Sequence, residues 1–326
     1  MLSQFLYKRV TSVKEAIDAA GRPGAHLLAG GTDLMGCLRD EVFTATTVVS
    51  LNGIKELKGI SPRSGGGLRI GALTTLTEIA ENRQVAASFP VLAQAAASTA
   101  SPQLRNQATL GGNLCQRPRC WYFRGDFQCL RTGGKTCLAA LGENEFHCIL
   151  GGQPCFMVHP SDTAPALVAL DAKVSIAGPG GARTIPLASF FVLPAVTATK
   201  ENVLTPGEIL TEILLDPPPA GARSAYRKVR ERGAFDFALA GAAVMVALSS
   251  GKVQTARVVL SGVAPAPWRS AEAEKALVGR SLDAAAAAEA SAAAVKNATP
   301  LPQNEFKVPL VRGVLEETLI RLSEGG

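Results

Sequence analysis

The sequence lacks the features that mark two large classes of protein. None of its uninterrupted apolar runs reaches the roughly 20 residues that a bilayer-spanning helix needs. Only three Tyr and two Trp are available for stacking on bases, and the Lys and Arg residues behind the net charge of +6 are spread along the chain. We therefore expect no membrane span and no nucleic-acid partner.

A secretion signal is also missing from the first residues, which do not show the ordered basic, apolar and cleavage regions of a signal peptide. We expect synthesis and folding in the cytoplasm. Export as a passenger on a partner that carries its own signal stays open. The apolar fraction of 47% over 326 residues is ample for the cores of two or three domains.

Common catalytic and cofactor patterns are absent as well. The sequence contains neither the G-x-G-x-x-G spacing of a Rossmann unit nor the C-x2-C pairs of zinc ribbons. Its three histidines, His26, His147 and His159, and its scattered carboxylates form no triad or paired-acid pattern. We therefore predict no catalytic side chain in this chain.

Cysteine, in contrast, is concentrated in one segment. Six of the seven cysteines lie in it: Cys115, Cys120, Cys129, Cys137, Cys148 and Cys155. In a large cytosolic chain, an odd and clustered set of cysteines favours metal or redox chemistry over a disulfide framework. The spacing alone leaves open an iron–sulfur cluster, a zinc site or several plain buried thiols.

Two glycine loops precede predicted helices. One is Gly30-Gly31-Thr32-Asp33 after a short strand, and the other is Thr109-Leu110-Gly111-Gly112-Asn113. Glycine lets a backbone approach a phosphate closely, and a helix start presents free N–H groups. One such loop is a weak signal, but two of them can hold a pyrophosphate from both sides.

The order of predicted elements indicates an α+β fold. Strand, helix and glycine-turn patterns alternate up to about residue 172, and the later part contains strands, a hairpin over 240–261 and helices over 283–296 and 310–322. We predict two α/β subdomains, 1–58 and 59–172, and a C-terminal α+β domain over 173–326. The cysteine segment, at about 115–155, is predicted to be a loop that a metal centre orders.

Several motifs, taken in chain order, resemble one protein family. They are Ala29-Gly30-Gly31-Thr32-Asp33, Ile70-Gly71-Ala72-Leu73-Thr74, Gln107 to Asn113, Ser161-Asp162 and Tyr226-Arg227-Lys228-Val229-Arg230. Together they are similar to the FAD-binding subunit of molybdenum hydroxylases, the medium-subunit family of xanthine and carbon monoxide dehydrogenases. The resemblance covers nearly the whole chain and implies a PCMH-type flavin fold of two FAD-binding subdomains, followed by an α+β domain with an antiparallel sheet and helices.

The cysteine segment is similar to a subset of that family with an extra [4Fe–4S] cluster. This subset includes bacterial periplasmic aldehyde oxidoreductases and, less closely, the β subunits of 4-hydroxybenzoyl-CoA reductases. The resemblance implies four ligands, Cys120, Cys129, Cys137 and Cys155, with Cys115 or Cys148 as a spare thiol or a replacement. Four nearby arginines would tune the cluster or pair with partner subunits: Arg117, Arg119, Arg124 and Arg131.

The resemblance also implies which residues hold FAD. The pyrophosphate would be bound by backbone amides of two loops, namely Leu27, Leu28, Ala29, Gly30, Gly31, Thr32, Asp33 and Leu34, and Thr109, Gly111, Gly112 and Asn113. Asp162 would contact the ribityl or flavin portion, although a helix-capping role is equally consistent with its position. Lys228 would lie at the flavin site, with its neighbour Arg227 as the alternative.

The implied function is electron transfer within a complex. A large partner subunit would oxidise an aldehyde at a molybdenum cofactor, and a small partner subunit with two [2Fe–2S] clusters would pass electrons to this FAD and on to an external acceptor. Two alternatives remain open at this point. One is a subunit that sends electrons towards an aromatic thioester, and the other is a zinc-stabilised scaffold without redox function.

Overall fold

The computed structural model describes residues 2–325. Within them the chain forms twelve β-strands, arranged in three sheets. In chain order the strands are β1 Leu6–Arg9, β2 Ala25–Leu28, β3 Thr47–Ser50, β4 Ile60–Pro62, β5 Leu68–Gly71, β6 Lys173–Gly178, β7 Gly181–Pro186, β8 Ile209–Leu215, β9 Ala222–Val229, β10 Ala240–Ser249, β11 Lys252–Ser261 and β12 Trp268–Arg269.

Twelve α-helices lie in the same described range. They are α1 Val13–Ala20, α2 Leu34–Arg39, α3 Leu76–Ala80, α4 Arg83–Ser88, α5 Pro90–Ser98, α6 Pro102–Arg105, α7 Leu110–Leu114, α8 Trp121–Arg124, α9 Thr163–Ala169, α10 Ala271–Leu277, α11 Ala284–Ala294 and α12 Lys307–Ser323. None of the helices described is both long and apolar enough to cross a bilayer. The fold is mixed α+β, as the sequence predicted.

The first sheet is parallel, with its strands in the order β1-β3-β2. In the chain, α1 connects β1 to β2. The hydroxyl of Ser12 accepts a hydrogen bond from the Glu15 N–H at 3.2 Å and so caps α1. The Glu15 carboxylate accepts from the Thr11 N–H instead of the Ser12 N–H. This sheet and α1 carry the first glycine loop, which follows directly after β2.

The second sheet is antiparallel, in the order β4-β5-β8-β6-β7. Its strand β8 pairs with β5 on one side and with β6 on the other. The sheet therefore crosses the boundary that we predicted between residues 172 and 173. Each strand was predictable from its local pattern, but the pairing of β5 with β8 joins segments about 140 residues apart, and local periodicity carries no such information.

The third sheet is antiparallel, in the order β12-β11-β10-β9, and helices cover both of its faces. The sequence of β10 is almost wholly apolar because its side chains alternate between two buried faces of the sheet. Ala243 packs into the core that contains α5 and α9, whereas Ala242 and Val244 pack into the core that contains α10 to α12. The third sheet thus joins the C-terminal helices to the core that contains α5 and α9.

The cysteine segment runs between α7 and α9 and contains little regular structure, as predicted. It holds only the single-turn helix α8 and two 3-10 turns, Leu130–Thr132 and Leu138–Ala140. The buried side chain of Asn304 ties it to the C-terminal region, because its amide donates to the carbonyls of Asn144 and His147 at 3.2 and 3.0 Å.

Candidate cofactor site

The first glycine loop follows β2 and leads into α2. Gly31 has φ +75°, a left-handed conformation that favours glycine. A Cβ atom on Gly30 would stand 1.8 Å from the Gln107 carbonyl oxygen, so the loop packs directly against the residues that precede the second glycine loop. The hydrogen bonds found among residues 2–325 use none of the N–H groups of Gly30 to Leu34. This loop therefore presents a row of free backbone donors.

The second glycine loop differs from the first in its hydrogen bonding. The N–H groups of Leu110 and Gly111 donate to the carbonyls of Thr74 and Ala72 at 2.9 and 2.8 Å. Thr109 caps α7 by accepting from the Gly112 N–H at 3.2 Å, and its backbone carbonyl accepts from the Asn113 N–H. Protein acceptors thus take the N–H groups of Gly111, Gly112 and Asn113, whereas the hydrogen bonds found among residues 2–325 include none from the Thr109 N–H. Phosphate binding by this loop stays a prediction.

Both loops line one cavity of about 250 Å³, which we call the loop cleft. Its walls include Leu27, Ala29 and Gly30 to Leu34 from the first loop, and Thr109, Gly111 and Gly112 from the second. Leu28 and Asn113 were predicted to bind the cofactor but do not line this cavity. Asn113 accepts hydrogen bonds from Ser161 and Thr163 at 2.5 and 2.6 Å, which fixes the start of α9.

A second cavity, of about 220 Å³, lies between the cysteine segment, the start of α9 and the third sheet. We call it the aromatic cavity, because Trp121, Phe146 and Phe237 contribute to its wall. Cys120 and Asp162 also line it, so a sulfur ligand candidate and a flavin-site candidate face the same space.

Asp162 precedes α9 but its side chain makes no capping bond to it. A contact with the flavin or ribityl portion stays a prediction. Its carboxylate accepts from the Lys228 ammonium at 2.8 Å and from the Tyr226 hydroxyl at 2.7 Å. Burial, followed by the charge of Asp162, raises the pKa of Tyr226, which therefore stays protonated as a donor. Tyr226 also lies 3.1 Å from the Ser261 hydroxyl.

Lys228 and Arg227 lie on opposite faces of β9, because successive side chains of a strand alternate. Lys228 reaches Asp162, whereas Arg227 pairs with Glu317 of α12 at 2.7 Å. Lys228, whose place at the flavin site stays a prediction, is therefore the one of the two that contacts Asp162. It is not itself a wall residue of the aromatic cavity and stands behind Asp162.

The predicted cysteine ligands are brought into one neighbourhood. Cys137 and Cys155 are neighbours, and their interaction lowers the pKa of Cys137 and raises that of Cys155. Burial, with smaller contributions from the neighbouring Cys137 and Cys129, raises the pKa of Cys120 to about 11. Among residues 2–325, however, no group of three or more His, Cys, Asp or Glu side chains stands at metal-binding spacing.

The two other cysteines of the segment lie in different surroundings. Burial raises the pKa of Cys115 to about 12, and this thiol packs against the core of the second sheet. Burial, with a smaller contribution from the charge of the nearby Cys137, also raises the pKa of Cys148 to about 12. Of these two, Cys148 is therefore the one placed beside the predicted ligands.

The arginines of the segment form ion pairs within the chain. From the sequence we expected them instead to tune the cluster or to pair with partner subunits. Arg119 and Arg124 contact the Asp33 carboxylate at 2.9 and 2.7 Å. Arg117 and Arg131 both pair with the buried Glu201, Arg117 at 3.0 Å. Their positive charges are thus neutralised by carboxylates from distant parts of the sequence.

Sequence reasoning missed three groups at this site, namely Tyr226 as a partner of Asp162, the acceptor Glu201, and His147 beside Cys120. The His147 Nε2 atom lies 3.2 Å from the Cys120 sulfur, and burial lowers the pKa of His147 to about 4. No local pattern announces these contacts, because each joins residues at least 27 positions apart.

Two family models together match nearly the whole chain. The model of the FAD binding domain in molybdopterin dehydrogenase matches residues 3–218, and that of the CO dehydrogenase flavoprotein C-terminal domain matches residues 224–322. The chain belongs to the family of FAD-binding medium subunits of molybdenum hydroxylases. As a member of this family it is a subunit of an FAD-dependent oxidoreductase.

Individual family members are similar over almost the full length. The aldehyde oxidoreductase FAD-binding subunit PaoB of Escherichia coli is 39% identical over 323 residues, which is 98% of each chain. The carbon monoxide dehydrogenase medium chain of Hydrogenophaga pseudoflava is 29% identical over 300 residues, covering 91% of this chain and 88% of the relative. A solved structure of carbon monoxide dehydrogenase from Hydrogenophaga pseudoflava matches with a TM-score of 0.78 at 27% identity, over 98% of this chain and 97% of that one.

Proposed function

We propose that this chain is the electron-transfer subunit of a molybdenum-dependent aldehyde oxidoreductase. FAD would lie with its pyrophosphate in the loop cleft and its flavin towards the aromatic cavity. The observation that carries the proposal is the row of free N–H groups from Gly30 to Leu34 at a cavity of an FAD-binding family member. Backbone N–H groups without protein acceptors are suited to bind a negatively charged pyrophosphate.

The two glycine loops have different roles in this proposal. The first loop supplies hydrogen-bond donors, whereas the second supplies a surface without side chains at Gly111 and Gly112. The hydroxyl of Thr109 accepts from Gly112 and keeps its own proton to donate. Asp162 would contact the flavin or ribityl portion from the wall of the aromatic cavity, with Lys228 holding its charge in place behind it.

The bound flavin would supply the electron-accepting chemistry, which no side chain of this chain provides. We propose that a small partner subunit with two [2Fe–2S] clusters delivers electrons, after a large partner subunit has oxidised the substrate at its molybdenum cofactor. An external acceptor then takes the electrons from this subunit. The similarity to a protein named as an aldehyde oxidoreductase subunit supports an aldehyde as the substrate class.

We further propose one [4Fe–4S] cluster on Cys120, Cys129, Cys137 and Cys155. Four thiols in one neighbourhood are a suitable donor set, because iron–sulfur clusters are held by cysteine thiolates. The aromatic cavity, which Cys120 lines, would place this cluster beside the flavin.

Metal and sulfide analysis of the purified complex tests both cofactor assignments. We expect flavin absorption bands, and we expect the Cys129→Ser complex to contain about four fewer irons than the unmodified complex. Cys37→Ser is the matched control for the iron count alone, because Cys37 is a buried free thiol on α2 outside the cysteine segment but lines the loop cleft. Zinc without iron at the segment would instead support a scaffold, and reduction of an aromatic thioester in place of aldehyde oxidation would overturn the proposed substrate class.

A further inference from the structure

Asp33 occupies the position before α2 where an aspartate commonly caps a helix, yet its side chain makes no bond to that helix. Its carboxylate instead accepts three hydrogen bonds or ion pairs from the cysteine segment. The Arg117 N–H lies 2.7 Å from Oδ2, and the guanidinium groups of Arg119 and Arg124 lie 2.9 and 2.7 Å from Oδ1. The first glycine loop is therefore joined directly to the start of the cysteine segment.

Arg124 extends this connection into the segment. Its guanidinium also donates to the carbonyls of Pro118 and Arg117, at 2.8 and 3.3 Å. The side chains of Arg124 and Asp33 are only 12% and 17% exposed, so solvent screens this ion pair weakly. One carboxylate thus holds residues 117–124 in place next to the loop cleft.

From this geometry we propose that Asp33 is a positioning residue that couples cofactor binding at the first glycine loop to the order of residues 117–124. The inference rests on the proposed placement of the FAD pyrophosphate at this loop. A carboxylate beside a pyrophosphate would repel it, and Arg119 and Arg124 neutralise that carboxylate only while the segment is ordered. An ordered segment therefore favours cofactor binding, and by reciprocity bound cofactor favours the ordered segment.

Hydrogen exchange on the complex, with FAD removed and then restored, tests the coupling. In the unmodified protein we expect FAD to slow exchange both in residues 29–34 and in residues 117–124. Asp33→Asn should keep the first effect and lose the second. Asp40→Asn is the matched control, because Asp40 lies just after the same helix and pairs only with the exposed Arg39 among the described residues.

A double-mutant cycle on FAD affinity separates the electrostatic coupling from a merely structural role. Arg124→Gln should weaken FAD binding about fivefold or more, because it leaves the Asp33 charge poorly neutralised. Adding Asp33→Asn to Arg124→Gln should recover part of that loss, since the repelling charge is then gone. A merely structural contact between the two residues predicts that the double variant binds FAD no more tightly than Arg124→Gln alone, and that result would overturn the proposal.

The same exchange data distinguish failure of this inference from failure of the proposed function. If FAD protects neither residues 29–34 nor residues 117–124, the placement of the cofactor at the first loop is wrong. If it protects residues 29–34 alone in the unmodified protein, the placement stands and the coupling is rejected. Unchanged exchange in α12 of each variant confirms that the fold is intact.

Discussion

The ammonium of Lys228 lies 2.8 Å from the carboxylate of Asp162, and each side chain is only 3% exposed. A buried charge that loses its partner is far more costly than an exposed one. The Tyr226 hydroxyl donates to the same carboxylate at 2.7 Å. This pair fixes the negative charge of Asp162 at the wall of the aromatic cavity.

Lys228→Met is therefore expected to lower the free energy of unfolding by roughly 3–5 kcal/mol, because Asp162 keeps its buried charge without the ammonium. Urea denaturation of the purified chain measures this. Lys173→Met is the matched control, since the Lys173–Asp216 pair is about half exposed and its loss should cost below about 1 kcal/mol. Equal losses in the two variants would show that burial of the Lys228–Asp162 pair does not matter.

Gly30→Ala should reduce the FAD content of the purified protein. The new Cβ would stand 1.8 Å from the Gln107 carbonyl oxygen, so the two glycine loops would have to separate. We expect a loss of about 1–3 kcal/mol in stability in addition to weaker FAD retention. The ratio of flavin to protein absorbance measures retention. Gly180→Ala serves as the control, because its Cβ would meet no atom within 4 Å.

His159 should make the protein sensitive to acid. Burial lowers the pKa of this fully enclosed histidine from 6.5 to about 4. Between those pH values the unfolded chain binds a proton at this residue and the folded chain does not, so stability falls as the pH falls. The full effect is roughly 3 kcal/mol. In His159→Asn the free energy of unfolding should therefore fall less as the pH is lowered across this range. Urea denaturation at several pH values measures it.

His26→Asn is the comparison for that experiment. Burial also lowers the pKa of His26, but this ring is only partly enclosed and its Nε2 atom contacts the Thr44 carbonyl at 3.2 Å. We therefore expect His26→Asn to change the pH dependence of the free energy of unfolding less than His159→Asn does. A larger change in His26→Asn than in His159→Asn would contradict the assignment of the acid sensitivity to the deeply buried histidine.

Asn304→Ala should destabilise the part of the cysteine segment that the Asn304 side chain contacts. The buried amide of Asn304 donates to carbonyls of Asn144, His147 and Cys148 at 3.2, 3.0 and 3.4 Å. Each buried carbonyl left without a donor costs about 1–3 kcal/mol. We expect faster hydrogen exchange in residues 144–148. Asn297→Ala, whose side chain makes an exposed contact with Glu272, should leave exchange there unchanged.

The limits of the domains remain a prediction, but two observations favour a later boundary than residue 172. The five-stranded sheet includes β6, β7 and β8, and the two family models meet between residues 218 and 224. The triple proline at residues 217–219 lies at that point, and proline is typical of strand edges and element boundaries. We propose that the C-terminal domain begins just after it.

The sequence by itself determined the elements and the family. Two strand-like runs around Ser250-Gly251 predicted the hairpin of β10 and β11, and glycines before short helices predicted both loops that line the loop cleft. These signals are local, because strand and helix periods and turn residues act over a few neighbouring positions. The clustered cysteines likewise stood out without any coordinates.

Only the tertiary structure decided what those residues contact. Asp33 and Arg124 are 91 positions apart, and Asp162 and Lys228 are 66 apart, so no local pattern joins them. An aspartate before a helix looks the same whether it caps that helix or reaches across to a distant cation. The pairing of distant strands and the burial of both partners decide between these outcomes, and both arise only when the chain has folded.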